Sequence, residues 1–419
     1  MGNLPRPHPF IVVVGVTLMF LAPILHAQGP YTLDTAALRA AIERALMVAP
    51  RGFEKLLAPS QAGVRVLNVE VQQASSASQL VTIDLSQKAL TYDPSGSVEA
   101  LIDRILTGTA ALTNNAGNVG YRFLVDGLPL DQFLPAAPAR STARALPFAQ
   151  GGTALISAGH GWYWHEGANA WLLQRDYYRG IVEDVVNWDI ANYVRAELGA
   201  NGVDARFVRY PERDDTIGTS GHPQWQESAT YFVRALGAPT EVWDIGVDNY
   251  ARDINTRPIY SNWIDSTVLV SIHNNGGGGT GTETWYDSSN GYEAESRRLA
   301  EIVNSRIVAL LRAGYNRDWP DRGLRTCNGC KGENRLASRP AIIVEAAFMD
   351  TRSPDNDALH DETFKRLVAQ GIREGLQEWE GSRSTSAMKM PVMRGSYLPR
   401  SAPLWSSLAA SMGLRFFAL

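Results

Sequence analysis

Two histidines that directly follow apolar, β-rich runs are the residues whose positions most favour chemistry. His160 follows the run Ala154–Ser157, and His273 follows the run Thr267–Ile272. Because ligands of open α/β sheets bind beyond the carboxyl ends of the strands, we expect both imidazoles at one edge of a sheet. A single histidine after a strand is more often structural, but a matched pair favours a shared metal site.

A third ligand is needed, since catalytic zinc sites use three protein ligands and leave one position open, and two histidines with one glutamate form a known set. Glu183 lies in the first turn of a predicted helix over Val182–Leu198, at the edge of its apolar face. A carboxylate there could instead stabilise the helix through its dipole, by about 0.3–1 kcal/mol. Glu166 is an alternative third ligand, and we interpret His222 as an exposed loop histidine.

Glu345 ends the apolar run Ala341–Val344, where a carboxylate is costly to bury unless it is paired or functional. Burial raises the pKa of a carboxyl group, and such a carboxylate close to a metal-bound water is suited to general base catalysis. The structural alternative is a buried ion pair with Arg325 or Arg339. We favour catalysis, and the residues by themselves predict metal-assisted amide hydrolysis.

Composition limits the partners and the number of folded units. The 419-residue chain has 45% hydrophobic and 20% charged residues and a formal net charge of −4, which is ordinary for a well-packed protein. Its length allows two globular units. Because the charge is small and no basic run is present, we expect no nucleic acid partner.

The first residues, 1–27, predict a signal peptide. Arg6 precedes an apolar run from Phe10 to Leu25, and this run is shorter than the roughly 20 residues that span a bilayer. We therefore predict a protein of the cell envelope or extracellular space, with no stable membrane span once it is mature. In an oxidising compartment, Cys327 and Cys330 are expected to form a small disulfide.

The remaining chain predicts two units joined by a linker rich in Pro, Ala and Arg at 136–148. Residues 30–135 form a small α+β unit with helices at Asp34–Leu57 and Val98–Leu106 and strands at Val64–Val71, Leu80–Leu85 and Tyr121–Val125. An irregularity is predicted between Val66 and Val69.

Residues 150–380 alternate strands and helices, which predicts an α/β fold with a mainly parallel, twisted sheet and helices on both faces. Residues 381–419 are predicted to be a tail. The predicted strands are Ala154–Ser157, Ala205–Arg209, Thr267–Ile272, Thr282–Tyr286 and Ala341–Val344, and the predicted helices are Val182–Leu198, Ala294–Ala313 and Asp361–Trp379.

Four motifs in this second unit resemble the zinc-dependent N-acetylmuramoyl-L-alanine amidases of the AmiC type, the Amidase_3 family. They are ISAGHG at 156–161, GIVEDVVN at 180–187, SIHNN at 271–275 and VEAAFM at 344–349. The resemblance implies a phosphorylase/hydrolase-like fold and peptidoglycan as substrate, with cleavage of the amide between N-acetylmuramic acid and L-alanine. It implies that one zinc ion is bound by His160, Glu183 and His273, and that Glu345 is the general base.

Two departures from the family pattern are evident. His160 and Glu183 lie 23 residues apart, which is longer than the family pattern leads us to expect, and residues 217–247 resemble an insertion. In the first unit, residues 62–134 resemble the GerMN module of spore-germination and cell-envelope proteins. This second resemblance rests on hydrophobic pattern and implies a binding or scaffolding role.

Two alternative functions remain open at the level of sequence. A zinc carboxypeptidase acting on wall peptides would use a similar ligand set, and a non-catalytic protein that binds the cell envelope is the second alternative. The complete set of four residues argues against the second, because a retired site need not keep Glu345. We expect the protein to be a monomer.

Overall fold

The computed structural model describes residues 31–48, 58–92, 98–135, 146–246 and 248–388. The predicted signal peptide at 1–27 and most of the predicted linker lie outside these residues. Residues 381–388 of the predicted tail are described and belong to the last helix, which ends at Met388.

In its described residues, the first unit contains two α-helices and four strands. They are α1 (Thr35–Ala45), β1 (Val66–Ser75), β2 (Ser78–Leu85), α2 (Val98–Thr109), β3 (Asn118–Val125) and β4 (Leu128–Pro129). Asp34 caps α1 by accepting hydrogen bonds from the amides of Ala36 and Ala37. The helix ends earlier than the prediction of Leu57, and a turn follows at 46–48. The irregularity predicted in β1 is a register shift between Val66 and Asn68.

The second unit has the predicted alternation of strands and helices. Its strands are β5 (Thr153–Ala158), β6 (Tyr163–His165), β7 (Ala170–Leu172), β8 (Tyr177–Tyr178), β9 (Ile181–Val182), β10 (Asp204–Phe207), β11 (Val268–Asn275), β12 (Thr282–Asp287), β13 (Asp321–Cys327) and β14 (Ala341–Phe348). Its helices are α3 (Glu183–Ala200), α4 (Ala229–Ala235), α5 (Thr240–Trp243), α6 (Asn249–Trp263), α7 (Glu293–Gly314), α8 (Gly332–Arg335), α9 (Asp357–His360) and α10 (Glu362–Met388).

The central sheet is mainly parallel, as predicted, and helices cover both of its faces. On one face, α3, α7 and α10 pack around a core that includes Ile156, Val270 and Trp379. On the other face, α4, α5 and α6 pack against residues such as Leu155 and Leu269. Consecutive side chains of β5 and β11 therefore alternate between two cores, which explains why both strands are apolar throughout.

Both predicted units belong to one ten-stranded sheet. The strand order is β1-β2-β3-β13-β12-β14-β11-β5-β10, with β4 added beside β3. The strand β3 of the first unit runs parallel to β13 of the second, with Val119 opposite Arg325 and Tyr121 opposite Cys327. The division at 136–148 therefore does not separate two sheets, and the domain boundaries stay a prediction.

Buried arginines hold the junction between β3 and β13 together. Arg322 lies 2.6 Å and Arg325 3.2 Å from the carboxylate of Glu283. Arg322 also donates to the carbonyl of Ala110 at 3.1 Å, and Arg325 donates to that of Gly117 at 2.6 Å. Because buried charges need both an ion partner and hydrogen bonds, these contacts tie the first unit to the second.

One further sequence prediction can be placed on the fold. Cys327 and Cys330 form the predicted disulfide at the end of β13. Within the described ranges, no helix combines the length and the apolar character needed to cross a membrane.

Candidate active site

The two predicted histidines meet because the strands that carry them are neighbours. β5 and β11 pair in parallel; His160 follows the end of β5, whereas His273 lies inside β11 rather than after it. His160 Nε2 is 3.1 Å from His273 Nδ1. A Cβ atom at Gly159 would lie 2.3 Å from the His273 ring, so only glycine at this position allows the imidazole to come so close.

Glu183 completes the cluster from the first turn of α3. Its Oε1 lies 3.2 Å from His160 Nε2 and 3.0 Å from His273 Nδ1. The amide of Asn274 and the side chain of Asn187 also donate to this oxygen, each at 3.1 Å. One ligand atom from each of the three residues lies within 4.8 Å of the others, and all three side chains are buried. The structure thus brings the predicted trio together.

The long interval between His160 and Glu183 folds into two short hairpins, β6 with β7 and β8 with β9. Asp184 organises this segment, since its carboxylate accepts the amides of Gly161 and Gln174 at 2.8 Å and of Arg175 at 3.1 Å. The added residues therefore do not displace Glu183. They instead bring Gln174 and Arg175 to the cluster.

The outer nitrogen of each histidine has an acceptor of its own. His160 Nδ1 is 2.6 Å from Gln174 Oε1, and His273 Nε2 is 2.9 Å from Glu333 Oε1. An imidazole that donates through one nitrogen presents its other nitrogen as a metal ligand. His160 Nε2 and His273 Nδ1, which are the two nitrogens nearest Glu183, are therefore the ones presented.

Both acceptors are anchored by α6. Asp253 Oδ2 accepts a hydrogen bond from Gln174 Nε2 at 2.8 Å, and Arg257 donates to Glu333 Oε1 at 2.6 Å. Asp253 and Arg257 also pair with each other inside the protein. Sequence reasoning missed Gln174, which lies in a loop, and Glu333, which lies in the short helix α8, because both are outside the recognised motifs.

The charges around the cluster shift the pKa values of its members. Burial lowers the pKa of His160, and Arg175 lowers it further. Burial alone would also lower the pKa of His273, but the carboxylates of Glu333 and Glu183 outweigh it and raise that pKa to about 10. For Glu183, burial acts to raise the pKa, yet the two histidines and Arg175 hold it well below its usual range.

The donor set fits a zinc ion. Two imidazole nitrogens and one carboxylate oxygen converge in a buried cluster, and this is a set that catalytic zinc sites use. The hydrogen bonds from Gln174 and Glu333 fix the ring orientations that metal binding requires. The arrangement could therefore hold a divalent cation beside the cavity that these three residues line.

Glu345 lies beside the cluster on the neighbouring strand. In the parallel register of β11 with β14, Glu345 is opposite His273. Both residues line a cavity of about 430 Å³, together with His160 and Glu183. Burial, reinforced by the charges of Glu183 and Glu283, raises the pKa of Glu345 to about 8.

The ion pair considered for Glu345 is not formed. Arg325 pairs instead with Glu283, and Arg339 lies 3.3 Å from Asp265. Among the described residues, Glu345 Oε2 is buried without a hydrogen-bond partner. An unpaired carboxylate oxygen of this kind is costly unless it has a function.

The remaining candidates from the sequence lie outside the cluster. Glu166 is exposed, accepts the amide of Asn249 at 3.1 Å and faces Arg252. His222 stacks on Trp162 with ring centroids 3.7 Å apart. Neither belongs to the group of potential metal ligands.

Comparison with known proteins finds a match over most of the second unit. The family model described as Amidase_3, N-acetylmuramoyl-L-alanine amidase, matches residues 155–378. The sporulation-specific N-acetylmuramoyl-L-alanine amidase of Bacillus subtilis (strain 168) is 29% identical over 140 residues, which are 33% of this chain and 50% of that protein. The N-acetylmuramoyl-L-alanine amidase CwlM of Bacillus licheniformis is 31% identical over 108 residues, 26% of this chain and 38% of that protein.

Solved structures are also similar to the chain. An N-acetylmuramoyl-L-alanine amidase from Clostridium difficile 630 has 23% identity and a TM-score of 0.36, with 57% of this chain and 100% of that chain covered. Ami1 from Mycobacterium smegmatis has 18% identity and a TM-score of 0.38, with 55% and 98% covered. The chain spans half or less of the length of the curated relatives reported above.

Replacing Glu333 with glutamine should weaken zinc binding. Glutamine removes the negative charge that supports His273, and loss of such an outer partner typically costs 10- to 100-fold in metal affinity. We expect Glu333→Gln to raise the zinc dissociation constant by that factor in competition with a chelator. Glu227→Gln, a buried acid that contacts neither histidine, is the matched control. Equal affinities for Glu333→Gln and the wild type would contradict the orienting role.

The raised pKa of Glu345 predicts a pH-dependent cost to folding. At pH 4 the carboxyl group is largely protonated in both states, so the cost is small. As pH rises, the unfolded chain loses its proton near 4.5 and the folded protein only near 8, so folding is progressively penalised and the penalty is complete above pH 8. We expect Glu345→Gln to raise the Tm of the zinc-free protein at pH 9 but hardly at pH 4. The same Tm gain at both pH values would count against a raised pKa.

Proposed function

Because the chain belongs to the N-acetylmuramoyl-L-alanine amidase family, whose model matches residues 155–378, we propose that it is a peptidoglycan hydrolase. The proposed reaction cleaves the amide between N-acetylmuramic acid and the L-alanine of the stem peptide. The observation that carries this proposal is the buried cluster of His160, Glu183 and His273. It shares one cavity with Glu345, whose Oε2 is buried without a hydrogen-bond partner among the described residues.

In this proposal, His160 Nε2, Glu183 Oε1 and His273 Nδ1 would hold one zinc ion. When bound there, zinc supplies Lewis acidity, which polarises the substrate carbonyl and makes a water more acidic. The protein keeps the two imidazoles in the required orientation through Gln174 and Glu333. The cluster is buried, so its electrostatic interactions are stronger than they would be in water.

Glu345 is proposed to move the proton. Its carboxylate accepts a proton from the attacking water, whose oxygen bonds to the lactyl carbonyl carbon. As the C–N bond breaks, Glu345 returns that proton to the departing nitrogen, which leaves as the free amine of L-alanine. In the zinc-free protein, burial raises the pKa of Glu345. This direction favours uptake of a proton from water, because a group that both takes and gives a proton works best when its pKa is near the working pH.

We also propose that the protein works outside the cytoplasm as a monomer. The apolar run within residues 1–27 supports export, and the disulfide between Cys327 and Cys330 suits an oxidising compartment. Peptidoglycan, the substrate that the names of the relatives imply, lies in that compartment.

The products of digestion test the proposed bond. We expect the full-length protein, loaded with zinc, to release intact stem peptides with a new L-alanine amine and to leave glycan strands with free lactyl carboxylates. Chromatography with mass spectrometry separates these products. Release of single amino acids would favour a zinc carboxypeptidase, and binding to the wall without any product would favour a non-catalytic envelope protein.

Replacing Glu345 with glutamine tests the general base. Glutamine keeps the shape of the side chain but cannot accept the proton, so we expect kcat to fall by about 10²- to 10⁴-fold while zinc content is unchanged. Glu301→Gln, a surface acid paired with Arg297, should retain wild-type activity. Wild-type kcat in a zinc-loaded Glu345→Gln variant would rule out this role.

A further inference from the structure

The first unit forms part of the wall of the catalytic cavity. Three residues on successive turns of α2, namely Glu99, Asp103 and Thr107, line the same cavity as the histidine cluster. Spacings of four place these side chains on one face of the helix. A unit that serves only as a scaffold or a binding module would not need to supply a face to this cavity.

Asp103 is the central contact of that wall. Its Oδ2 accepts a hydrogen bond from Arg175 Nη2 at 2.8 Å, and its Oδ1 accepts one from Lys331 Nζ at 2.8 Å. Each carboxylate oxygen thus binds one cation of the second unit. Burial acts to raise the pKa of Asp103, but Lys331 and Arg175 hold it well below its usual range.

Arg175 bridges Asp103 and the ligand cluster. Its Nε lies 3.2 Å from Glu183 Oε2, and its Nη1 donates to the hydroxyl of Tyr250 at 3.0 Å. Glu183 therefore turns Oε1 toward the histidines while Oε2 faces the guanidinium. Because a guanidinium is planar and its donors are fixed relative to one another, the position of Asp103 constrains the orientation of the Glu183 carboxylate.

Lys331, the second cation that binds Asp103, lies on the side of Glu345. It follows the disulfide-bonded Cys330, and its ammonium group lies 5.2 Å from the centre of the Trp285 ring. Its positive charge opposes the rise in the pKa of Glu345. Lys331 and Glu345 line the same cavity, and the bond from Asp103 fixes the position of this ammonium group within it.

Close packing fixes α2 over the cavity. Glu99 of α2 pairs with Arg335. Elsewhere in the first unit, the backbone of Phe123 in β3 exchanges two hydrogen bonds with Asn328, at 2.9 and 3.2 Å. A Cβ atom at Gly277 would lie 1.8 Å from the carbonyl oxygen of Thr107. The helix therefore contacts the second unit through Glu99 and Thr107 as well as through Asp103.

We propose that Asp103 is a positioning residue for the catalytic site, which holds Arg175 against Glu183 and Lys331 beside Glu345. The first unit thereby completes the site instead of acting only as a binding or scaffolding module. For its effect on turnover, this inference rests on the proposed amidase function. For its effect on metal binding, it rests only on the ligand cluster.

The test uses the full-length protein and Asp103→Asn, which keeps the size of the side chain but removes its charge. We expect the zinc dissociation constant to rise about tenfold in chelator competition, the lower end of the range for outer partners of a metal site. With zinc at saturation, kcat on muropeptides should fall while KM changes little. Asp84→Asn, in β2 of the same unit, is the matched control and should behave as the wild type.

A second variant separates positioning from general stability. Arg175→Lys keeps a positive charge but loses the planar fork that bridges Asp103 and Glu183, so it should weaken zinc binding to a similar extent. If Asp103 acts through Arg175, the double variant should lose much less than the product of the two single losses. Thermal unfolding in chelator reports on folding separately.

The outcomes are distinguishable. Wild-type zinc affinity in either single variant overturns the positioning role, as does a lower Tm with unchanged affinity and kcat. Fully multiplicative losses in the double variant exclude the route through Arg175. If the wild-type protein binds zinc but releases no stem peptide, the proposed function fails, whereas a tenfold loss of zinc affinity in Asp103→Asn would still support the placement of Asp103.

Discussion

The rest of the site depends on the burial of one carboxylate, that of Glu183, between two imidazoles. A buried carboxylate requires positive partners and donors, and this one has Asn274 and Asn187 on Oε1 and Arg175 on Oε2. Each partner then needs its own support. The result is a network of side-chain contacts that extends from the ligands to the hairpins after β5, to α6 and to α2.

Local sequence patterns predicted the parts of the site that single elements create. The apolar runs that became β5, β11 and β14 were evident because strands covered on both faces are apolar throughout. The position of Glu183 at the start of α3 followed from helical periodicity. Since parallel strands end at the same edge of a sheet, the proximity of His160 and His273 also followed. Glu345 was found as the carboxylate that ends the apolar run Ala341–Val344.

The parts that were not predicted depend on contacts between distant segments. β13 was missed because Arg322 and Arg325 interrupt its apolar pattern. These arginines bind Glu283 on β12 and carbonyl groups of the first unit, which no local pattern shows. The shared sheet was missed because no local pattern reveals which edge β3 joins. Gln174 lies in a loop and Glu333 in a one-turn helix, so neither belongs to a periodic pattern. Asp103 lies on the polar side of α2, and the sequence pattern of that helix indicated only its apolar face.

Two neighbouring buried glutamates have different ion partners, and one of them destabilises the folded protein. Glu283 on β12 and Glu345 on β14 are opposite each other in an antiparallel pair, and both are buried. Glu283 receives two arginines, which lower its pKa against the effect of burial. Glu345 receives none, and its pKa rises to about 8. An arginine beside Glu345 would make folding easier at neutral pH, but it would also hold the carboxylate in its ionised form. A general base must be able to take up a proton, so the missing arginine is what the proposed chemistry requires.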